Sequence, residues 1–290
     1  MITEKRNNGM TLLKIFGIAI AAVFVVVLAL EGIRLLGGNR SSSSLKVSFI
    51  DVGKGDCILV QNAEHAMLID CGYAETTDTV LSYLKEAGVS GLEAIVVTHH
   101  DKDHAGGTAA ILDSVMCPAL YLPGYDGVGE PYTSVMKAVS KLGADTAAGK
   151  VTSDVSFDLG GATVTIFASE VEFDGDNDND CSLVVSVRYG SDSYLFAGDL
   201  EKEGIKAFLS EHTAQWNVIK MPHHGNKKGA VDDLLDSVKP TLAVITDSSE
   251  DPAADEVLAF LEERQIKIYR TAKSGTIVIT GNGNGMFKTE

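Results

Sequence analysis

Cysteine is scarce in this chain and badly spaced for metal binding. The four present, Cys57, Cys71, Cys117 and Cys181, form no C-x-x-C pair, which argues against a structural zinc ribbon or finger. Buried free thiols are the favoured reading; Cys57 and Cys71, on consecutive short strands, are the pair to test for a disulfide. Positive charge is short too. Lys and Arg number 24 against 40 Asp and Glu, a net charge of −16, so the surface as a whole does not bind nucleic acid non-specifically, and any polyanion needs a local basic patch or metal ions. The acidic stretch Asp174–Asp180 lacks the glycine at the sixth position and the acid at the twelfth that a calcium loop needs, and reads as an exposed loop.

What the sequence does contain begins with an apolar segment. Ile15 to Leu30 carries no charge, and Leu12 and Leu13 extend it if Lys14 reaches back to the headgroups. Residues 1–36 therefore read as a short cytoplasmic stub and one transmembrane helix contacting the membrane through residues 12–30. Lys5, Arg6 and Lys14 precede it, which places the N-terminus inside and the remainder outside the cytoplasm. A cleaved signal peptide is the rival reading, but Glu31-Gly32-Ile33-Arg34 offers no small-x-small site and there is no lipobox-like cysteine. Residues 37–44 form a Ser-rich linker, and 45–290 one domain large enough for a well-buried core.

Within that domain, Lys46–Val52, Asp56–Val60 and Ala66–Asp70 read as meander strands. Asp51, Asp56 and Asp70 lie at their polar ends, either as turn aspartates or as carboxylates supporting a ligand imidazole from behind. An amphipathic helix over Thr79–Ala87 returns the chain to a buried strand, Ala94–Val97. Later segments read as a strand at Leu120–Gly124, a helix at Tyr132–Lys141 and strands at Val164–Phe167 and Leu183–Val187. The alternation implies mixed α/β layers.

The densest chemistry follows Val97. His99, Asp101, Asp103 and His104 fall within six residues, ahead of Gly106 and Gly107; buried without a cation, such a cluster is strongly unfavourable, and a divalent ion reverses that sign. Two further apolar strands end alike: Tyr194–Ala197 runs into Gly198-Asp199, and Val218–Met221 into Pro222-His223-His224-Gly225. Each motif is weak alone; three strands ending in Asp or His make a joint signal for a hydrolytic metal site. Lys220 and Lys227 flank the last motif and offer local cations for a phosphate.

The loop 98–107 resembles the H-x-[HD]-x-D-H signature of the metallo-β-lactamase superfamily, in the variant with Asp101 in the middle. With Phe49–Asp56, Leu68–Gly72, Asn179–Ser182, Gly198-Asp199 and Lys220–Gly225, the chain resembles the hydrolase domain of ComEC-type competence proteins across nearly all of 45–280. The resemblance implies a four-layer αβ/βα sandwich and two divalent ions, Mn²⁺ or Zn²⁺. It implies one ion on His99, Asp101 and Asp180, and a second on Asp103, His104 and one histidine of the 223/224 pair, with Asp199 bridging. His224 is favoured as ligand and His223 as the group facing substrate, and Asp103 and His223 are the expected catalytic residues.

The implied activity is phosphodiester hydrolysis outside the cytoplasm, with DNA as substrate and DNA-uptake or envelope machinery as partner. Teichoic-acid or phosphocholine-type esters are the alternative substrates; a non-catalytic, metal-stabilised partner of a DNA-uptake machine is the alternative role. Asn226 stands where the family often has serine, and Asp247–Pro252 lacks its Asn and Gly-His-Pro pattern. The full competence protein's multi-pass channel is not in this sequence.

Overall fold

The structure, a computed structural model, describes residues 44–142, 146–226 and 229–290. The segment 1–36 with its apolar stretch, nearly all of the 37–44 linker, and Lys227 lie outside the described residues. Among the described residues no helix is long and apolar enough to cross a membrane.

Strands β1 (Leu45–Phe49), β2 (Ile58–Asn62), β3 (His65–Ile69), β4 (Ala94–Val96), β5 (Ala119–Pro123) and β6 (Ala147–Val151) belong to a first sheet. Strands β7 (Val155–Leu159), β8 (Ala162–Phe167), β9 (Val184–Tyr189), β10 (Asp192–Phe196), β11 (Val218–Lys220), β12 (Leu242–Ile245) and β13 (Lys267–Arg270) make a second. The chain then returns with β14 (Ile277–Gly281) and β15 (Phe287–Thr289) to close the free edge of β1, giving the order β15-β14-β1-β2-β3-β4-β5-β6. Each sheet has an antiparallel part built from hairpins and a parallel part: β3 to β6 in the first, β10 to β13 in the second.

The inner parallel strands β4 and β12 read as unbroken apolar runs because both faces are buried. Ala94 and Val96 of β4, Tyr194 and Phe196 of β10, and Leu242 and Val244 of β12 point into the core between the sheets, where they meet Phe49, Ile58 and Ile69. The alternate residues face outward under helices, as the period of two requires. Ile95 packs beneath α1 (Thr77–Glu86), α3 (Thr108–Ser114) and α4 (Glu130–Val139), with the single turn α2 (Lys102–Ala105) beside them. Leu195, Ile219 and Ala243 pack beneath α5 (Lys202–Glu211), α6 (Val231–Val238) and α7 (Asp255–Glu263). The four layers are thus helix, sheet, sheet, helix, the α/β sandwich expected from the sequence. All four cysteines are buried free thiols, so no bond joins Cys57 to Cys71.

This topology positions the site. The C-terminal ends of β3, β4, β10, β11 and β12 deliver Asp70, the 98–104 loop, Asp199, the 223–224 pair and Thr246 to one edge of the sandwich, the usual location for ligands in parallel sheets.

Candidate metal centre

Backbone geometry brings these ends together at close quarters. A Cβ on Gly107 would lie 2.4 Å from the Cys71 carbonyl oxygen, so only glycine lets α3 start directly against the strand end. Gly198 has φ +51° and no room for a Cβ against Ser182 at 2.8 Å, and this kink turns Asp199 inward. His223 and His224 both adopt left-handed backbone, φ 47° and 53°, a conformation that costs about 1–3 kcal/mol per residue and recurs at functional sites. The strain is held in place by hydrogen bonds from His223 N–H to Gly198 O (3.2 Å) and from Asn226 N–H to His223 O (2.8 Å).

At the centre, Asp103, His104, Asp199 and His224 offer four ligand atoms within 4.8 Å of one another. His104 Nε2 lies 3.2 Å from His224 Nε2 and 3.2 Å from Asp199 Oδ1. His224 Nε2 lies 3.1 Å from Asp199 Oδ2 and 3.3 Å from Asp103 Oδ2. Ligand atoms bound about 2.1 Å from one ion lie about 3.0–3.4 Å from each other, so these spacings match the edges of a coordination polyhedron.

The tautomers fit as well. Asp70 Oδ2 accepts from His104 Nδ1 at 2.8 Å, which leaves Nε2 as the lone-pair nitrogen. Thr246 Oγ1 spends its hydrogen on Asp56 Oδ1 at 2.6 Å, so its 3.1 Å contact with His224 Nδ1 can only be as acceptor. Thr98 repeats the device: its hydroxyl donates to Asp70 Oδ2 at 2.7 Å and accepts from His99 Nδ1 at 3.1 Å. Each of the three imidazoles therefore turns a bare Nε2 towards the site, oriented through its other nitrogen by a buried carboxylate. His99 Nε2 is buried with no hydrogen-bond partner, an orphan for which a cation is the natural occupant.

Charge tells the same story. Burial opposes a proton on His104, yet Asp199 and Asp70 overcome it and raise its pKa well above the ordinary histidine value. His224 is raised likewise, against burial, chiefly by Asp199. Burial works against ionisation of Asp199 and Asp103, but the neighbouring cations hold both well below the usual carboxylate range. The pocket is built for positive charge, and in its absence the imidazoles take up protons. His99, pushed down by burial and by His104, stays neutral.

The structure gathers His99, Asp101, Asp103, His104, Asp199 and His224 around this centre, with Asp56 and Asp70 behind them. Other sequence expectations are corrected. Lys220 is no substrate contact: it is fully buried, with Nζ 2.5 Å from Asp56 Oδ2, 3.3 Å from Asp199 Oδ1 and 2.9 Å from Gly198 O. It sits under the site as a fixed internal cation. Asp51 is an exposed turn aspartate whose Oδ1 accepts from Gly53 N–H at 3.1 Å. Asp180 is committed elsewhere, its Oδ1 accepting from the backbone N–H groups of Glu201 (3.0 Å) and Gly204 (2.7 Å) at the start of α5. His223 lies beside His224, its Nδ1 3.1 Å from Glu201 Oε1. His100, between two ligand positions in sequence, turns away to pack edge-on against Tyr125 and Tyr132.

Two residues escaped sequence reasoning. Thr246 carries the Asp56 to His224 relay, and its signal was its place at the end of a buried strand. Asp178 touches Asp101: burial first, then a side-chain hydrogen bond and the like charge of Asp178, raise the Asp101 pKa to about 7.

The profile of the metallo-beta-lactamase superfamily matches residues 50–245, and the chain belongs to that superfamily, whose members are usually metal-dependent hydrolases. It is 27% identical over 261 residues to ComE operon protein 3 of Bacillus subtilis (strain 168), covering 81% of this chain and 33% of that protein. It is 27% identical over 251 residues to Recombination protein 2 of Haemophilus influenzae (84% and 30%), and 26% identical over 250 residues to Competence protein ComA of Neisseria gonorrhoeae (84% and 33%). These relatives are ComEC-type competence proteins, and the chain spans about a third of their length. Among solved structures, the metallo-beta-lactamase fold protein YhfI from Bacillus subtilis superposes with a TM-score of 0.56 at 14% identity, covering 82% of this chain and all of that one, a likeness of fold.

Proposed function

We propose that this protein is a membrane-anchored, outward-facing phosphodiesterase that uses two divalent cations, with DNA as its substrate. The observation that carries the reading is the set of three Nε2 lone pairs, tautomerically fixed from behind, converging with Asp103 and Asp199. Similarity to competence proteins supports a nucleic-acid substrate. In this reading Asp103, His104 and His224 would hold one ion and His99 and Asp101 the other, with Asp199 available to both. Bound there, the cations would supply Lewis acidity, lowering the pKa of water and neutralising charge on a phosphoryl oxygen.

The protein's own residues do the rest. Asp70 and Asp56 keep the imidazoles in the right tautomer, and Lys220 holds Asp199 in place. His223, partly exposed and with Nδ1 3.1 Å from Glu201 Oε1, faces the substrate and carries a proton to the leaving oxygen. Burial lowers its pKa, while Asp199, Glu201 and an anionic substrate act in the opposite direction.

Metal-stripped full-length protein, reloaded with Mn²⁺ or Zn²⁺, should cleave bis-(p-nitrophenyl) phosphate and linear DNA, and leave a chromogenic cephalosporin intact. Turnover of teichoic acid alone would shift the substrate to the envelope; turnover of none of these would remove the enzymatic reading. Mn²⁺ should give the higher rate, because Asp101 makes one site oxygen-rich and favours a harder ion. Asp101→His should move the preference towards Zn²⁺; an unchanged preference would show that ligand hardness does not select the metal.

Orientation is tested separately. A periplasm-type reporter that works only outside the cytoplasm, fused after Glu290, should be active, and protease added to intact spheroplasts should remove residues 45–290. A protected domain would reverse the topology drawn from Lys5, Arg6 and Lys14.

A further inference from the structure

We infer that the cavity beside the metal loop, between His100, Tyr125 and Tyr132, is a nucleobase subsite, and that the substrate strand is therefore single-stranded where it crosses this edge. The inference rests on the phosphodiesterase reading above and names what its substrate presents next to the scissile bond. The cavity measures about 130 Å³ and is walled by His100, Leu122, Tyr125, Tyr132, Met136 and Val139, with Ala148 and Lys150 at its side. It lies beside β5 and β6, whose C-terminal ends share the sandwich edge with the 98–104 loop. His99 and His100 are consecutive, about 3.8 Å apart at Cα, and their rings part, one towards the metal ligands and the other into the cavity. An occupant of the cavity is within a nucleotide's reach of the metal centre.

The chemistry of the walls selects that occupant. His100 is only 4% exposed, yet both of its ring nitrogens, and the buried hydroxyl of Tyr125, lack a hydrogen-bond partner among the described residues. Polar atoms buried in this way fit a ligand that brings donors and acceptors of its own, and a neutral imidazole offers one of each. The ring is fixed where it stands. It packs edge-on against Tyr125 and Tyr132, and a Cβ on Gly127 would lie 2.5 Å from its Cδ2. Tyr125 is held in turn by stacking on Phe173 at 4.3 Å. Aromatic and aliphatic walls with few polar atoms suit a planar heterocycle, and a volume well below the roughly 300 Å³ at which drug-sized pockets begin admits a single ring system. A phosphate is poorly served here, because Lys150 is already paired with Asp126 Oδ1 at 2.7 Å, an oxygen that also accepts from Tyr132 Oη at 2.6 Å. A quaternary ammonium group would meet Lys150 as a competing cation. A base stacked within a duplex cannot enter, whereas a base of a single strand can, its lost stacking offset by the aromatic walls.

The test measures binding of Mn²⁺-loaded full-length protein to a fluorescent phosphorothioate oligothymidylate, which resists hydrolysis, by anisotropy. Wild type should bind it about 5- to 100-fold more tightly than the same strand made abasic, and at least about tenfold more tightly than the same strand in a duplex. Tyr132→Ala should bring the ratio of intact to abasic affinity close to one. Ala148→Trp should do the same by filling the cavity: Ala148 and Lys150 pair with Leu120 and Leu122 in register, and Ala148 is exposed on the edge strand β6, so the indole need not enter the core. His100→Phe keeps the packing and removes the nitrogens, and should lower the ratio about threefold or more. Equal affinity of wild type for intact and abasic strands, an unchanged ratio in both Tyr132→Ala and Ala148→Trp, or displacement of the strand by phosphocholine and not by thymidine would overturn the inference. Cleavage of unmodified DNA without the ratio would remove the subsite and leave the phosphodiesterase reading standing; the ratio without cleavage would keep the subsite and overturn the hydrolysis.

Discussion

Asp199→Ala is expected to bring hydrolysis to background, a fall of at least about a thousandfold, and to lower metal content below two ions per chain. Asp199 reaches His104 Nε2 through Oδ1 and His224 Nε2 through Oδ2, so both of its oxygens border the cluster of Asp103, His104 and His224. Its carboxylate is also the anion that Lys220 faces. Alanine would therefore remove a carboxylate from that cluster and unbalance the charge beneath it. Asp199→Asn removes the charge but keeps the shape and a carbonyl oxygen for Lys220, so it separates loss of the anion from loss of the side chain. Both variants should be folded by circular dichroism and inactive on bis-(p-nitrophenyl) phosphate. Full activity in either would sink the assignment of Asp199 to both ions, and with metal content unchanged would favour a non-catalytic, metal-stabilised role.

Lys220→Met should be the most destabilising single change at this edge of the sandwich. Its side chain is fully buried, and its ammonium group contacts Asp56, Asp199 and a backbone carbonyl. Burial alone would lower its pKa, but Asp56 and Asp199 hold it above the usual lysine value, so it is an internal cation. Removing one partner of such a cluster costs about 3–5 kcal/mol, because the carboxylates left behind remain buried without compensation. In a domain of this size that corresponds to a melting temperature lower by about 10 °C. Saturating Mn²⁺ should narrow the gap, since ions bound on the other side of Asp199 offset part of the lost charge. Asp56→Asn in the same background should restore part of the stability by removing one orphaned anion. Identical melting curves for wild type and Lys220→Met in metal-free buffer would mean that the cluster holds nothing together.

The contrast between these two residues explains what was legible in the sequence. Asp199 is legible because a strand buried on both faces reads as an apolar run, and its Gly-Asp end gains meaning jointly with the two other strands that end in Asp or His. The 98–107 loop is legible for the same reason, with its ligands next to each other in the chain. Lys220 is different: it follows Val218 and Ile219 on β11 and reads as a flanking basic residue, because its partner Asp56 comes from the opposite sheet. Asp178 and Asp180 are two aspartates in one loop without periodicity, and only tertiary placement separates them. β6 carries four exposed residues in Ala147–Val151 and no alternation, so nothing local marks it as a strand. The amphipathic helices α5, α6 and α7 are short, and their apolar faces become meaningful only against Leu195, Ile219 and Ala243.

The division of the ligands between the two sheets also governs how the protein is made. His99 to His104 belong to the half of the chain that is synthesised first, Asp199 and His224 to the half that follows. A growing chain therefore holds an incomplete, anion-rich cluster until the second sheet has formed and docked, a slow step for strands so far apart in sequence. A cation held by His104, Asp199 and His224 would be gripped from both sheets, and would act as a clasp that slows the opening of the sandwich.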